Sequence, residues 1–417
     1  MSRIDEEHIF ACYSIPVSLR LRGPLQVDAM HKAVQVLIER HEMLRTTIIS
    51  LEEQCILPSL KIEIPLIEFE HLAVSERDTV LAQWFTQESQ RPFNLSKGPL
   101  FRVYIFKLAD ELHLLTLITQ HLVADGLSMD ILFQELVALY SAECQGIACQ
   151  LTAPLPFLDY TQGGQIEETA THDSYLKQVV AERTPVLTLP TDYSRPPINR
   201  FQGHRETIRL ETSLGYNLKR VSRENKCSLF MTLMAGYGIL LHRLTGNDDL
   251  VIGIPTGGRS VKGGERVIGN LRHLLPVRVR LIDNQTFSEY LAKLKPVLLN
   301  AYEHQDYSFA KAFNKLLVQR EPNSPPLMAT TFNLDRFVMP KLFQLVVEDF
   351  FALPISFMPF DLSLNVIEVD DDLVCDFEYN VEHFEATTIQ GWLAAFQTLL
   401  ENIVANPSGQ VINFLKL

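Results

Sequence analysis

The chain has 417 residues, 47% apolar and 21% charged, a composition that excludes an intrinsically disordered polymer and supplies more apolar side chain than one core usually takes. A formal net charge of −13 excludes a non-specific nucleic-acid binder, which carries a basic excess. Six cysteines with no CxxC pair exclude a small disulfide scaffold and fit a reducing, cytoplasmic setting.

The first predicted element is a strand, Ile15 to Leu21, where apolar and polar residues alternate as on a half-buried sheet. A helix follows over Val27 to Leu44, with Met30, Val34, Leu37, Ile38 and Leu44 at helical spacing and Asp28 near its start. Two β-rich runs, Leu100–Phe106 and Leu112–Ile118, flank the polar turn Ala109–Glu111 and predict a hairpin. Its second strand ends at Gln120 and His121. A turn through Ala124, Asp125 and Gly126 leads to Ser128, the expected N-cap of an apolar helix from Met129 to about Cys144.

Pro190, Pro196 and Pro197 mark Leu187 to Arg200 as the best candidate connection. The expected organisation is an N-terminal lobe over residues 1–170, a linker over 171–200 and a C-terminal lobe over 201–417. The second lobe reads as a strand (Arg205–Leu210), a buried helix (Ser228–Leu241, too short to cross a bilayer), a strand (Leu250–Ile254) and a Gly-rich loop from Thr256 to Gly264. A strand (Leu274–Leu281), a helix (Phe287–Tyr302) and late strands near Thr330–Asn333 and Leu362–Val369 follow. The alternation implies mixed α/β layers, and each half runs through comparable strands and helices. No signal sequence or membrane span is expected.

The run Gln120-His-Leu-Val-Ala-Asp-Gly126 contains HxxxDG. A histidine between a strand end and a helix start can accept a proton near neutral pH. It can equally be a satisfied structural residue. Gly126 has no Cβ, so a substrate can approach the backbone where the helix N-terminus offers N–H groups to a developing oxyanion. Asp125 reads as a turn residue that caps the backbone or pairs with an arginine, with Arg40, Arg45 and Arg243 as candidates. The basic groupings Lys219, Arg220, Arg223 and Lys226, and Arg259, Lys262 and Arg266, read as solvated surface charge rather than docking patches.

Further segments resemble, in order, the motifs of condensation domains of non-ribosomal peptide synthetases. Arg40-His-Glu-Met-Leu-Arg-Thr46 resembles RHxxLRT, Gln120 to Gly126 resembles HHxxxDG, and Leu189-Pro-Thr-Asp192 resembles the linker after the first lobe. Asp248 to Arg259 resembles D(I/L)VxGxPxxGR, Val267 to Arg278 resembles IGFFVNTLPLR, and His304 to Phe309 resembles HQDxPF. The resemblance implies two chloramphenicol-acetyltransferase-like lobes in a V shape, with a tunnel between them reached by the 4′-phosphopantetheine arms of carrier proteins. It implies that His121 is the active histidine, that the Gly126 N–H faces the oxyanion, and that Asp125 holds an arginine. Arg40, Arg45 and Gln120 would support the site, and Asn270, His273 and Ser308 would line the tunnel. No cofactor on the chain itself is expected.

Gln120 stands where the family's first histidine is usual, and it can hydrogen bond but not titrate. His273 replaces an asparagine, Asn270 and Leu271 replace paired phenylalanines, and Gly163-Gly164 lie where Trp-Gln is common, so a remodelled donor tunnel is expected. The family's opening SxAQxRxW segment has no counterpart before the first strand, which reads as a late start or a trimmed form. The function implied is acyl transfer from a carrier-bound thioester to an amine or hydroxyl. The alternatives are a non-catalytic scaffold that docks a carrier or tailoring enzyme, and an acyl-coenzyme A-dependent acyltransferase.

Other motifs are thin. The glycine pairs Gly257-Gly258 and Gly263-Gly264 lack the Gly-Lys-Ser/Thr ending of a phosphate loop. Asp370, Asp371 and Asp372 read as a solvated turn rather than a cation site, and no histidine pair has metal-ligand spacing.

Overall fold

Strand and helix signals of the sequence resolve into two compact units in a computed structural model that describes residues 13–50, 53–163, 170–179, 187–259, 263–282, 284–305, 309 and 328–414. The first unit comprises Met1–Gln165, Arg259–Leu271 and Val338–Phe357, and the second comprises Ile166–Gly258, Arg272–Phe337 and Met358–Leu417. The units are therefore not contiguous halves of the chain. Two late excursions, beginning at Arg259 and Val338, belong to the first unit.

In chain order the first unit contains β1 (Ser14–Arg22), α1 (Val27–Arg40), β2 (Thr46–Ile48), β3 (Gln54–Ile56), β4 (Leu66–Glu68), α2 (Val74–Ser89), β5 (Phe101–Ala109), β6 (Leu112–Gln120), α3 (Gly126–Gln145) and α4 (Phe157–Gly163). The second contains α5 (Ala170–Val179), β7 (Gly203–Leu210), α6 (Thr212–Glu224), α7 (Leu229–Thr245), β8 (Asp249–Thr256), β9 (His273–Arg280), α8 (Phe287–Tyr302) and β10 (Thr330–Phe337). Strand β11 (Val346–Ala352) returns to the first unit before β12 (Leu362–Val369), β13 (Asp372–Asn380), α9 (Ala386–Ala405) and α10 (Val411–Phe414) complete the second.

The first unit's sheet has the order β11-β1-β6-β5-β4. Strand β1 is antiparallel to both β6 and β11, so a segment that alternates in sequence lies inside the sheet. Helix α1 buries Ala29, Met30, Ala33, Val34, Leu37 and Ile38, a stripe of i, i+3 and i+4 positions, and packs on α3. It ends at Arg40 rather than Leu44, because His41 turns extended and a short 3-10 turn, Glu42–Arg45, carries the chain on.

The second unit's sheet has the order β7-β13-β12-β10-β8-β9. All the strands expected after residue 200 fall in it. Helix α7 buries every residue from Met231 to His242, as its unbroken apolar run requires. Its Gly238 lies where an added Cβ would come within 2.7 Å of the Tyr290 hydroxyl of α8. Among the described residues no single helix is long and apolar enough to cross a membrane.

The segment expected to link two lobes is packed instead. Leu187 and Leu189 are buried in the second unit's core. Asp192 accepts hydrogen bonds from the Glu385 N–H (2.8 Å) and the Thr388 hydroxyl (3.0 Å) at the start of α9. Arg195 forms an ion pair with Asp361, and the Asp361 carboxylate lies 3.0 Å from the His383 Nδ1. Proline keeps this stretch extended, and its polar side chains tie it to the β13–α9 turn.

Candidate active site

Strand β6 delivers Gln120 and His121 to a turn whose far side is the first residue of α3, Gly126. The His121 N–H donates to the Tyr13 carbonyl at 2.9 Å, and the Val123 N–H to the Gln120 carbonyl at 3.1 Å. The His121 ring is partly exposed and stacks on the Tyr13 ring, with centroids 4.4 Å apart and planes inclined by 24°. Gly126 opens the helix, so its N–H belongs to a first turn with no partner inside the helix.

The second unit builds the same turn without a histidine at the first position, its His383 standing at the place of Val123. Strand β13 ends at Asn380 and α9 starts at Ala386, so Val381 stands at the position of His121. The Val381 N–H donates to the Gln202 carbonyl at 2.9 Å and the His383 N–H to the Asn380 carbonyl at 3.0 Å. These repeat the two turn bonds of His121 and Val123. The side chains agree too: the Gln120 amide oxygen accepts from the Leu122 N–H, and the Asn380 amide oxygen accepts from the Glu382 N–H at 2.9 Å.

Gln120 is therefore a turn cap, fully buried, whose job needs an acceptor and not a titrating group. A Gln120→His variant is expected to fold with a urea midpoint near wild type, whereas Gln120→Ala loses about 1 kcal/mol through an unpaired turn N–H. A urea midpoint for Gln120→His as low as that of Gln120→Ala would overturn this role.

Asp125 is the N-cap of α3, displacing Ser128 from the position expected for it. Its Oδ1 accepts from the Ser128 N–H and hydroxyl, both at 2.8 Å, which makes Ser128 the third helical residue. None of the expected arginines reaches it. Arg259 does, with Nη1 donating to Oδ2 and Nη2 to Oδ1, both at 2.8 Å. The Leu271 N–H adds a bond to Oδ2 at 3.1 Å. The Asp125 and Arg259 side chains are 0% and 7% exposed, so Arg259 is not surface charge. Burial pushes the Asp125 carboxyl up, but the Arg259 bonds and charge and the Ser128 donors outweigh it and hold the group below the ordinary aspartate range.

The glycines around Arg259 explain the Gly-rich loop. Gly258 and Gly263 have φ of 59° and 93°, the left-handed region that favours glycine. At Gly264 a Cβ would stand 2.8 Å from the Arg259 carbonyl. Further along, Ser128 accepts from the Gly269 N–H at 3.1 Å, and Arg259 Nη2 donates to the Gly269 carbonyl at 3.2 Å. A Cβ at Gly269 would lie 2.3 Å from the Phe157 ring. This excursion folds onto the start of α3 and places Asn270, which is partly exposed, next to the Asp125 ligand Leu271.

Arg40 and Arg45 serve elsewhere. Arg40 Nε donates to Glu135 of α3 at 2.9 Å, and His41 Nε2 lies 2.7 Å from the same carboxylate. Arg45 donates to the Ile38 carbonyl at 3.1 Å and to the Leu57 carbonyl. Burial raises the Glu135 carboxyl, but hydrogen bonds and charge from His41 and Arg40 overcome it and pull the group down to about 2. A carboxyl depressed on folding stabilises fully above its unfolded value and loses that contribution as pH falls. Stability should therefore decline between about pH 4.5 and about pH 2, and Glu135→Gln should flatten that slope in urea titrations. An unchanged slope would remove Glu135 as its source.

His273 begins β9 in the second unit, where its carbonyl accepts from the Thr256 hydroxyl at 3.3 Å. Ser308 lies outside the described residues. No group of three metal-ligating side chains occurs among the described residues. Asp370 and Asp371 form the turn between β12 and β13, as expected of a solvated loop. Sequence reasoning misses Tyr13 and the buried role of Arg259: Tyr13 sits outside any motif, and Arg259 is separated from Asp125 by more than a hundred residues.

The condensation-domain family model matches residues 7–415. The chain is 35% identical over 423 residues to a component of the plipastatin synthase of Bacillus subtilis, a match covering 99% of this chain and 11% of that protein. It is 34% identical over 413 residues to gramicidin S synthase 2 of Brevibacillus brevis, covering 95% of this chain and 9% of that protein. The chain thus spans about a tenth of these relatives' length.

Among solved structures, the condensation domain of the monacolin K polyketide synthase MokA matches with a TM-score of 0.83 at 19% identity, covering 98% of both chains. The first condensation domain of the calcium-dependent antibiotic synthetase, in complex with a substrate analogue, matches at 0.80 and 18%, covering 97% and 93%. These likenesses establish the mixed α/β, chloramphenicol-acetyltransferase-like fold. With a family match that runs from one end of the chain to the other and includes the histidine turn built by β6 and α3, the chain belongs to the condensation-domain family of non-ribosomal peptide synthetases.

Proposed function

We propose that this chain catalyses condensation-type acyl transfer. The acyl group leaves a thioester on the 4′-phosphopantetheine arm of an acyl or peptidyl carrier protein and joins a small amine or alcohol, free or itself carrier-bound. The product is an amide or ester in non-ribosomal peptide or related natural-product synthesis. The observation that carries this reading is the contrast between two equivalent turns. Asp125 is committed to Arg259 and to the cap of α3, which leaves His121 as the titratable side chain beside a helix N-terminus, and the second unit puts Val381 in that place.

The acceptor's lone pair forms a bond to the thioester carbonyl carbon, and the carbonyl π pair moves onto oxygen. His121 takes the acceptor's proton or orients the acceptor. N–H groups at the start of α3, Gly126 first, stabilise the oxyanion. Collapse of the intermediate breaks the C–S bond and the thiolate takes up a proton, so one thioester and one acceptor give one amide or ester and one thiol.

A second reading, a non-catalytic scaffold that docks a carrier or tailoring enzyme, draws on Gln120 and His273. The turn-cap geometry of Gln120 weakens it. Intact-protein mass spectrometry of an acyl-loaded carrier incubated with this protein and an amine separates the two: loss of the acyl group supports the enzyme, and stable co-purification without transfer supports the scaffold.

A further inference from the structure

Strand β1 begins at Ser14, and Tyr13 just before it touches His121 twice. Its carbonyl accepts the His121 N–H at 2.9 Å, and its ring lies face to face with the imidazole at 4.4 Å. Behind Tyr13 stands Phe357, with ring centroids 4.7 Å apart and planes inclined by 53°. The neighbouring Ser356 hydroxyl donates to the Ser89 carbonyl at the end of α2, at 2.7 Å. Tyr13 thus lies between the imidazole, on which it stacks, and a tilted Phe357 whose neighbour Ser356 is tied to the end of α2.

The equivalent turn of the second unit keeps the backbone bond and lacks the ring. There Gln202 supplies the carbonyl to Val381, so the backbone contact belongs to the turn as such. The aromatic stack occurs at the turn whose first residue is a histidine, His121, where the second unit has Val381. An imidazole at a strand end has a soft, roughly two-fold χ2 torsion, and a flat ring against one face removes most of that freedom. Offset stacking of this kind favours one ring orientation several-fold.

We infer that Tyr13 is the positioning residue for His121: its ring, backed by Phe357, sets the plane in which the imidazole meets the acceptor. The inference rests on the acyl-transfer reading for its kinetic consequence, but not for its geometric one. Since misplacement of a reacting group by about 1 Å can cost on the order of 100-fold, Tyr13→Leu should lower the single-turnover transfer rate about 10- to 100-fold with little change in the concentration of loaded carrier at half-maximal rate. Tyr13→Phe keeps the flat face and should rescue the rate to within about three-fold.

The second readout is the ring-current shift of the His121 carbon-bound protons in histidine-labelled full-length protein. It should be present in wild type and Tyr13→Phe and lost in Tyr13→Leu, with the urea midpoint monitored to separate misfolding from misorientation. Retention of the shift and the rate in Tyr13→Leu overturns the inference. So does a failure of Tyr13→Phe to rescue either, which would assign the effect to the hydroxyl. If wild type transfers no acyl group, the functional reading fails while the ring-current comparison still decides the positioning.

Discussion

Replacing His121 by alanine is expected to lower single-turnover acyl transfer by about 10²- to 10⁴-fold, the range removed with a general base, while leaving the urea midpoint close to wild type. The two halves of this result have separate grounds. His121 is partly exposed, and its backbone bond to Tyr13 survives truncation. The ring stack on Tyr13 is lost with the imidazole, about 0.5–1.5 kcal/mol. The rate falls because no second titratable side chain of the turn can step in: the Asp125 carboxylate is saturated by Arg259, Ser128 and Leu271, and Gln120 carries no exchangeable charge. A carrier-acyl transfer assay followed by mass spectrometry measures the effect. Unchanged turnover would remove His121 from the chemistry and leave orientation of the acceptor by backbone groups as the remaining mechanism.

The elements legible in the sequence share one property: their signal is local. The β5–β6 hairpin is written in alternation and its polar turn, and α7 in an unbroken apolar run. The HxxxDG turn is legible as a motif and its setting between strand and helix as a pattern. What escapes is long-range. Asp125 has several arginines to choose from, and selecting Arg259 takes the positive φ of Gly258 and Gly263 and the return of the Gly269 backbone to Ser128. The Pro-rich segment misleads for a related reason. Proline announces an extended backbone, but whether that backbone is loose or packed is decided by Leu187 and Leu189 entering the second unit's core and by Asp192 meeting the Glu385 N–H.

The largest stability effect is expected at the Asp125–Arg259 pair. Both side chains are buried, the bonds are bidentate, and Arg259 also donates to Ser128, Val267 and Gly269. Removing one partner strands an uncompensated charge, which costs about 3–5 kcal/mol, so Asp125→Ala and Arg259→Ala should each lower the urea midpoint far more than His121→Ala does. Arg259→Lys keeps the charge but loses the planar fork and should fall between wild type and alanine. Because the two residues act as one unit, the double alanine variant should cost less than the two singles together. Asp125→Ala removes the α3 cap as well, about 1 kcal/mol, and should be the worse of the two singles. Acid should mimic the loss: the Asp125 carboxyl is held below its unfolded value, so its contribution is complete above about pH 4 and fades as pH falls further. The discriminating outcome is an Asp125→Ala protein as stable as wild type but unable to transfer. That result would move Asp125 from the scaffold of the turn into the chemistry.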